Sequence, residues 1–507
     1  MDNRDDGIFA PLLAFLGLIN PREIDARQKL VGQRLYTHAT IIAIMLYRRI
    51  AGEISQASVI NALMTMMPQH FRESKRGREG AISNSPAAFS KARKQMPLSI
   101  FHEVIDSVAK KLLEKVRPTW NGLHVFLLDG TTMNAAPEPT IRDVFPGATN
   151  QKGTSAYPVI NVAVATGLST GLVIRPELGA MYGPNAVSET QLGMKVISRL
   201  PENSLIIADA GFGIFRTAWH ILTTGRHFLL RISPGLFGSL VKRMEKEGKT
   251  FTGCRARITW PVTSKNLKSS PWLPKNGVIE IYLHRIQVGE KWIYLIENFG
   301  MTTKTAGDFY VQRVNVETDI ENIKVRLRGE KLNGKCADVV QKELAIIILH
   351  YQLLAAARMK AAKLRNLPPR KLSFTETREC VRNYFERSAG RAKRTVRAHF
   401  VTAIKLASKC RIPDRPGRSF KRVLPQTTSL RQFPKTASSA SGESHAREGK
   451  TLVNRELQRH WASARPLRGV GFVRAKKQPP GSKQGSRRLL NLHPSGVEPE
   501  TFGSEVR

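Results

Sequence analysis

Apolar side chains recur at two different spacings along this chain, and the change of spacing divides it. From about residue 9 to 120 they return every three to four positions, as in Leu30, Leu35, Ala39, Ile42 and Met45, with Arg and Lys between them. That is the spacing of helices that bury one stripe, so residues 1–120 read as a helical N-terminal domain. After Trp120 short apolar runs take over, at His124–Asp129, Val159–Ala165, Gly171–Ile174, Ser204–Asp209 and Phe228–Ile232, and these predict strands. Helical spacing at Ser188–Leu200 and Phe215–Thr223 alternates with them, which makes residues 121–235 the first part of an α/β fold. Between 236 and 303, Gly, Pro and Lys interrupt two alternating segments, Val278–Ile286 and Lys291–Ile296, the pattern of a β-rich insertion. Helical spacing resumes from Gly307 through Arg328 and from Val339 through Ala362, followed by a third, basic helix over Thr375–Lys409. Residues 304–422 thus complete the fold with helices that flank the sheet. From 423 to 507 Ser, Gln, Gly, Pro and Arg dominate without any period, the composition of a disordered basic tail.

With 507 residues, 41% of them hydrophobic, the chain is long enough for about three structural units at roughly 150 residues each. Charge narrows the partner. Lys and Arg number 80 against 40 Asp and Glu, a formal +40. Residues 411–507 contribute 20 basic and 7 acidic side chains, so residues 1–410 still carry +27. Such an excess calls for a polyanion, nucleic acid before an anionic membrane, because neutralised phosphates release condensed counterions. Within the N-terminal domain, Ser85 begins a segment whose helix carries Lys91, Arg93 and Lys94, read either as a DNA-contacting face or as solvated charge.

Cysteines at 254, 336, 380 and 410 form no C-x-x-C pair and have no zinc-type His spacing, and they are too sparse for a disulfide framework. The expectation is a reduced, cytoplasmic protein. The first residues, Met-Asp-Asn-Arg-Asp-Asp-Gly, are acidic where a signal peptide is basic. An apolar run such as Ala345–Leu349 falls short of the roughly 18 residues of a membrane span.

Two aspartates share one setting. Asp129 in Leu-Leu-Asp-Gly-Thr-Thr and Asp209 in Ile-Ala-Asp-Ala-Gly-Phe-Gly each follow an apolar strand and precede small residues. Both are expected at strand ends, where open α/β sheets bind ligands, and carboxylates there suit a hard cation such as Mg²⁺; a turn or capping role is the competing reading. The third element is Tyr310-x₂-Arg313-x₃-Glu317-x₆-Lys324. On one regular helix, at about 100° and 1.5 Å per residue, these four lie within roughly 60° along a line of about 21 Å, and such a line fits a phosphodiester backbone. Arg313 and Glu317 also form an i,i+4 pair, so a salt-bridged solvated face stands beside that reading. Glu321 shares the face, one turn on. Gly211 and Gly213 suggest a dinucleotide loop, but Arg216 stands where its third glycine belongs.

Together, Asp129 in D-G-T, Asp209 in D-A-G-F and the Y-x₂-R-x₃-E-x₆-K spacing resemble the DDE transposases of bacterial insertion sequences, in the Y-R-E-K subgroup of the insertion-sequence-four family. The resemblance runs from about 10 to 422 and includes the order Asp, Asp, β insertion, Glu helix; Ile412–Arg422 is similar to the family's usual C-terminal end. It implies a ribonuclease-H-like core, interrupted by the insertion, in which Asp129, Asp209 and Glu317 are catalytic and hold two Mg²⁺ or Mn²⁺ ions roughly 3.5–4 Å apart. It implies hydrolysis at the element ends, strand transfer of the freed 3′-hydroxyl into target DNA, and double-stranded DNA, at the terminal inverted repeats and the target, as partner of a homodimer. Tyr310, Arg313 and Lys324 would grip phosphates. Trp292 would stack on a flipped base, a buried strand Trp being the competing reading.

Val314 departs from the aromatic residue that often follows the signature Arg. The tail departs further. Its end, from Pro494 to Arg507, resembles translated non-protein DNA, which suggests a frameshift or read-through near 423; a genuine basic DNA-binding arm is the alternative. A non-catalytic DNA-binding derivative of a decayed transposase, and a metal-dependent nuclease without strand transfer, fit the same residues.

Overall fold

The computed structural model describes residues 11, 15, 17–26, 35–52, 54–66, 75–80, 83, 85–151, 153–330 and 332–413. The expected tail at 423–507, the residues from Asp414 to Arg422 and the periodic position Leu30 lie outside the described residues. The N-terminal part is helical: α1 Pro21–Asp25, α2 His38–Ile50, α3 Gln56–Met66, α4 Lys75–Arg78, α5 Ala87–Gln95 and α6 Leu98–Leu113. Then come β1 His124–Asn134, α7 Pro139–Arg142, a small hairpin of β2 Thr149–Asn150 and β3 Gly153–Thr154, β4 Val159–Gly167 and β5 Val173–Ala180. They are followed by α8 Glu189–Ile197, β6 Ser204–Ala208, α9 Phe215–Thr223, β7 His227–Ile232 and α10 Pro234–Lys246.

Eight strands form one mixed sheet in the order β5-β4-β1-β6-β7-β10-β9-β8, where β8 is Arg255–Pro261, β9 Val278–Val288 and β10 Lys291–Glu297. β1, β6 and β7 are parallel, and the other pairings are antiparallel. The segment expected as a β-rich insertion contributes three strands rather than two, plus α11 Ser264–Ser269, and joins the sheet where Tyr294 of β10 pairs with Ile232 of β7. Alternation along each strand sorts the core onto two faces. Val125, Leu127, Leu205, Ile207 and Leu229 pack with the helices of the N- and C-terminal parts. Phe126, Leu128, Ile206, Ala208 and Leu230 pack with α8 and α9.

Four expectations change. Asp129 is not at the end of β1, which runs on to Asn134 because β4 pairs with it from Phe126↔Gly167 to Asn134↔Val159; only the parallel ladder to β6 stops at Leu128↔Ala208. The single helix expected over 307–328 is α12 Thr303–Val311, α13 Val314–Glu321 and a π-helical stretch Asn322–Arg326. Bonds from Arg313 N to Tyr310 O and from Val316 N to Arg313 O tighten the join to i→i+3, and Leu327 N reaching Asn322 O widens the far end. After α14 Ala337–Lys363 and a short turn Pro369–Lys371, the expected third helix is two, α15 Phe374–Ser388 and α16 Lys393–Ala407, broken where Gly390 takes a φ of 67°. Finally, α14 is long and apolar enough to cross a membrane by length and composition, yet nearly all of its apolar stretch is buried inside the fold.

Candidate active site

The parallel register brings the two aspartates together. Leu128 pairs with Ala208 and Ala208 with Leu230, so the next positions across the three strands are Asp129, Asp209 and Arg231. Alternation puts all three on the face that carries Leu127, Ile207 and Leu229, the face α13 covers beside β1. Beyond β6 the chain turns sharply: Gly211 N donates to Asp209 Oδ1 at 2.8 Å and Phe212 N to Asp209 O at 3.1 Å. Gly213 is required there, because a Cβ would stand 1.9 Å from the carbonyl oxygen of Arg231.

Arg313, at the join of α12 and α13, connects strand and helix. Its Nη1 donates to Asp129 Oδ2 at 2.9 Å and its Nη2 to Glu317 Oε1, while Asp129 Oδ1 accepts from Gly130 N at 3.0 Å. Burial pushes the Asp129 carboxyl up to about 6, and the charges of Asp209 and Glu317 push the same way against the Arg313 guanidinium. Burial alone would lower Arg313, but Asp129, Tyr310, Glu317 and Asp209 outweigh it and raise the guanidinium. Asp209 and Glu317 therefore act electrostatically on Asp129, and the Arg313 guanidinium bridges Asp129 and Glu317. Glu321, the rival on the helix, instead lies 3.9 Å from Arg326 and is not among the groups that shift Asp129.

The remaining candidates divide. Lys324 reaches the same face, its Nζ 3.3 Å from Thr131 Oγ1, two residues beyond Asp129. Tyr310 does not lie in an exposed line with the others. It is 1% exposed, and burial raises its phenol, while the Arg313 and Arg231 guanidiniums lower it. Trp292 is 42% exposed on β10, against the competing expectation of a buried strand Trp. Its ring already faces the Arg285 guanidinium at 5.0 Å, and Phe251 faces the same guanidinium at 5.4 Å. On α5, Lys91 and Lys94 are exposed. Arg93 is buried, 3.8 Å from Glu343 of α14, and so belongs to packing rather than to a cationic surface.

Sequence reading passed over Arg231 and Glu189. A charged residue within Phe228-Leu-Leu-Arg-Ile, in phase with Leu229, was the signal for the first. Glu189 begins α8 and lies across Gly130, whose added Cβ would be 2.3 Å from its carboxyl carbon; nothing in the sequence links these two.

Residues 120–353 match the transposase DDE domain family, and the mixed α/β sheet with its covering helices is consistent with the core of such a protein. The family match and two relatives support a DDE transposase of an IS4-type insertion element, a protein of DNA transposition. Transposase InsG for insertion sequence element IS4, from Escherichia coli strain K12, is 21% identical over 350 residues, 67% of this chain and 76% of InsG. InsZ of the same strain is 26% identical over 185 residues, 35% of this chain and 58% of InsZ.

Proposed function

We propose that the chain cuts DNA at the ends of its element by phosphodiester hydrolysis and joins the freed 3′-hydroxyl to target DNA, with Asp129, Asp209 and Glu317 as the catalytic carboxylates. The observation that carries this reading is the guanidinium of Arg313, which joins Asp129 to Glu317 beside Asp209 on one face of the sheet. An all-oxygen donor set in which Asp209 and Glu317 push the buried Asp129 carboxyl upward gains from a hard divalent cation. The three carboxylates would hold Mg²⁺ or Mn²⁺, two ions per site; in the present conformation Arg313 bridges Asp129 and Glu317, and among the described residues no three such side chains close into a cage. Bound there, the cations supply activation of the attacking oxygen and stabilisation of the leaving one. Hydrolysis forms a bond from water oxygen to phosphorus and breaks the bond from phosphorus to the 3′ oxygen. Strand transfer forms the same kind of bond from the freed 3′-hydroxyl oxygen to a target phosphorus and breaks that phosphorus's bond to its own 3′ oxygen, which leaves with a proton as a new 3′-hydroxyl, so no covalent link to protein is required. Arg313 and Lys324 supply a guanidinium fork and an ammonium for the phosphates next to the cut.

Around this site the reading assigns residues 121–235 and 304–422 to a ribonuclease-H-like core and 236–303 to its insertion, where Trp292 would meet a flipped base on exchanging its Arg285 partner. Residues 1–120 would recognise the terminal repeats, and two copies would pair the ends. The test is cleavage and joining of labelled DNA bearing the element's ends, with Mg²⁺ or Mn²⁺, for the full chain and for a form ending at 422. Asp129→Asn, Asp209→Asn and Glu317→Gln are expected to bind ends and not cut. A variant that binds normally and still cuts overturns the assignment, and binding without cutting by the parent chain favours a decayed derivative.

A further inference from the structure

The piece of helix that carries Arg313 and Glu317 is short and bounded by irregular backbone, an i→i+3 join on one side and a π-helical stretch on the other. Helical regularity therefore does not fix which way these side chains face, and something outside the helix must. Two residues beyond Glu317, about 200° around the axis, Asp319 points into the protein and is 1% exposed. Its carboxylate accepts from Tyr351 OH of α14 at 2.7 Å, and from Arg370 Nη1 at 3.0 Å and Nη2 at 2.7 Å.

Arg370 also reaches the sheet. Its Nε donates to Leu168 O at 2.5 Å and its Nη2 to Gly167 O at 3.0 Å. Gly167 is the register partner of Phe126, and Leu168 N donates to Val125 O at 2.8 Å. The guanidinium is thus tied to β1 three to four residues before Asp129. Gly171, at a φ of 70°, carries the β4–β5 turn past this group, where an added Cβ would lie 3.4 Å from Asp319 Oδ1.

We infer that Asp319, Arg370 and Tyr351 are positioning residues that set the rotation and distance of Glu317 and Arg313 relative to Asp129. This rests on the carboxylate assignment above. Four donated bonds from one planar fork define direction as well as distance, and Lys at 370 keeps the charge but not the fork.

The experiment compares Arg370→Lys, Tyr351→Phe and Asp129→Asn with the parent in the full chain. Three quantities are read: thermal midpoint, binding of uncut end DNA, and Mn²⁺ bound, the last from the electron paramagnetic resonance signal of the free ion. Arg370→Lys is expected to raise the Mn²⁺ concentration for half-saturation roughly tenfold, as loss of a group that orients a ligand does, with DNA affinity nearly unchanged. Tyr351→Phe, which deletes one hydroxyl and leaves the ring packed, is expected to raise it by about half that on a logarithmic scale. A lower thermal midpoint with unchanged Mn²⁺ half-saturation in Tyr351→Phe, and in Arg370→Lys where that variant folds, overturns the inference and leaves a purely structural network. Unchanged Mn²⁺ binding in Asp129→Asn overturns the site assignment instead.

Discussion

Arg313 and Asp129 are 184 residues apart in the chain, yet Nη1 of one donates to Oδ2 of the other at 2.9 Å while Nη2 holds Glu317. Each bond uses a different arm of a planar group, so one side chain spans the gap between strand carboxylate and helix carboxylate. A lysine has one nitrogen to offer both. Arg313→Lys is therefore expected to fold and to bind end DNA within severalfold of the parent, but to cut it about 100-fold more slowly, the scale of a misplaced group in a reacting site. Single-turnover cleavage checks this, and a rate within twofold of the parent removes the need for the fork.

Asp129 titrates in the wrong direction for a stabilising carboxylate. Its value rises from 3.8 to about 6, so the folded state binds this proton more tightly than the unfolded one. The resulting stability is complete below about pH 4 and is lost as pH rises through 6, a difference of roughly 3 kcal/mol above that point. Asp129→Asn removes the penalty. Denaturant unfolding without divalent metal is expected to find the variant more stable than the parent at pH 8, by up to about 3 kcal/mol, and level with it near pH 4. A pH-independent difference contradicts the raised value.

The two glycines beside the aspartates are expected to behave differently. At Gly213 an added methyl meets backbone, the carbonyl oxygen of Arg231 at 1.9 Å, whereas at Gly130 it meets the mobile end of Glu189. Gly213→Ala is expected to cost at least about 3 kcal/mol, since a strand must shift, and Gly130→Ala less than about 1 kcal/mol. Thermal unfolding of the two variants side by side decides it, equal losses counting against the geometry.

Much of this arrangement was legible because it is written in local patterns. Phe215–Thr223 is helical with the bounds its spacing gives, and the apolar runs from His124 to Ile232 fall on strands. Asp129 and Asp209 could be read from their place after such runs. What could not be read depends on partners distant in sequence. The antiparallel pairing to β4 that carries β1 past Asp129 is one case. Another is the change from α to π winding after Glu321, which involves Gly329 close over Ile323 O. Burial of Tyr310 follows from neither motif nor period, since both place it on one continuous, outward-facing helix stripe. Arg370, in a Pro-Pro-Arg-Lys turn, has no local signal at all for its bonds to Asp319 and to the end of β4.

His350 gives the fold a defined acid limit. It lies in the middle of α14, 3% exposed, and its Nε2 has no hydrogen-bond partner among the described residues. Burial pulls the imidazole down to about 3, and the Arg49 and Arg378 guanidiniums pull the same way. Here the folded value lies below the unfolded 6.5, so the neutral ring is fully stabilising above that pH and loses ground as pH falls toward 3. Between those limits each pH unit costs about 1.4 kcal/mol from this one group. Other buried groups titrate in the same range, Asp129 in the opposite direction, so the contribution is isolated by replacement with an apolar ring of similar size. His350→Phe is expected to leave stability near pH 7.5 within about 1.5 kcal/mol of the parent and to flatten the decline between pH 6.5 and pH 5 by about 2 kcal/mol. Unfolding curves at those pH values for both proteins supply the comparison, and parallel declines would mean that His350 is already charged inside the folded chain.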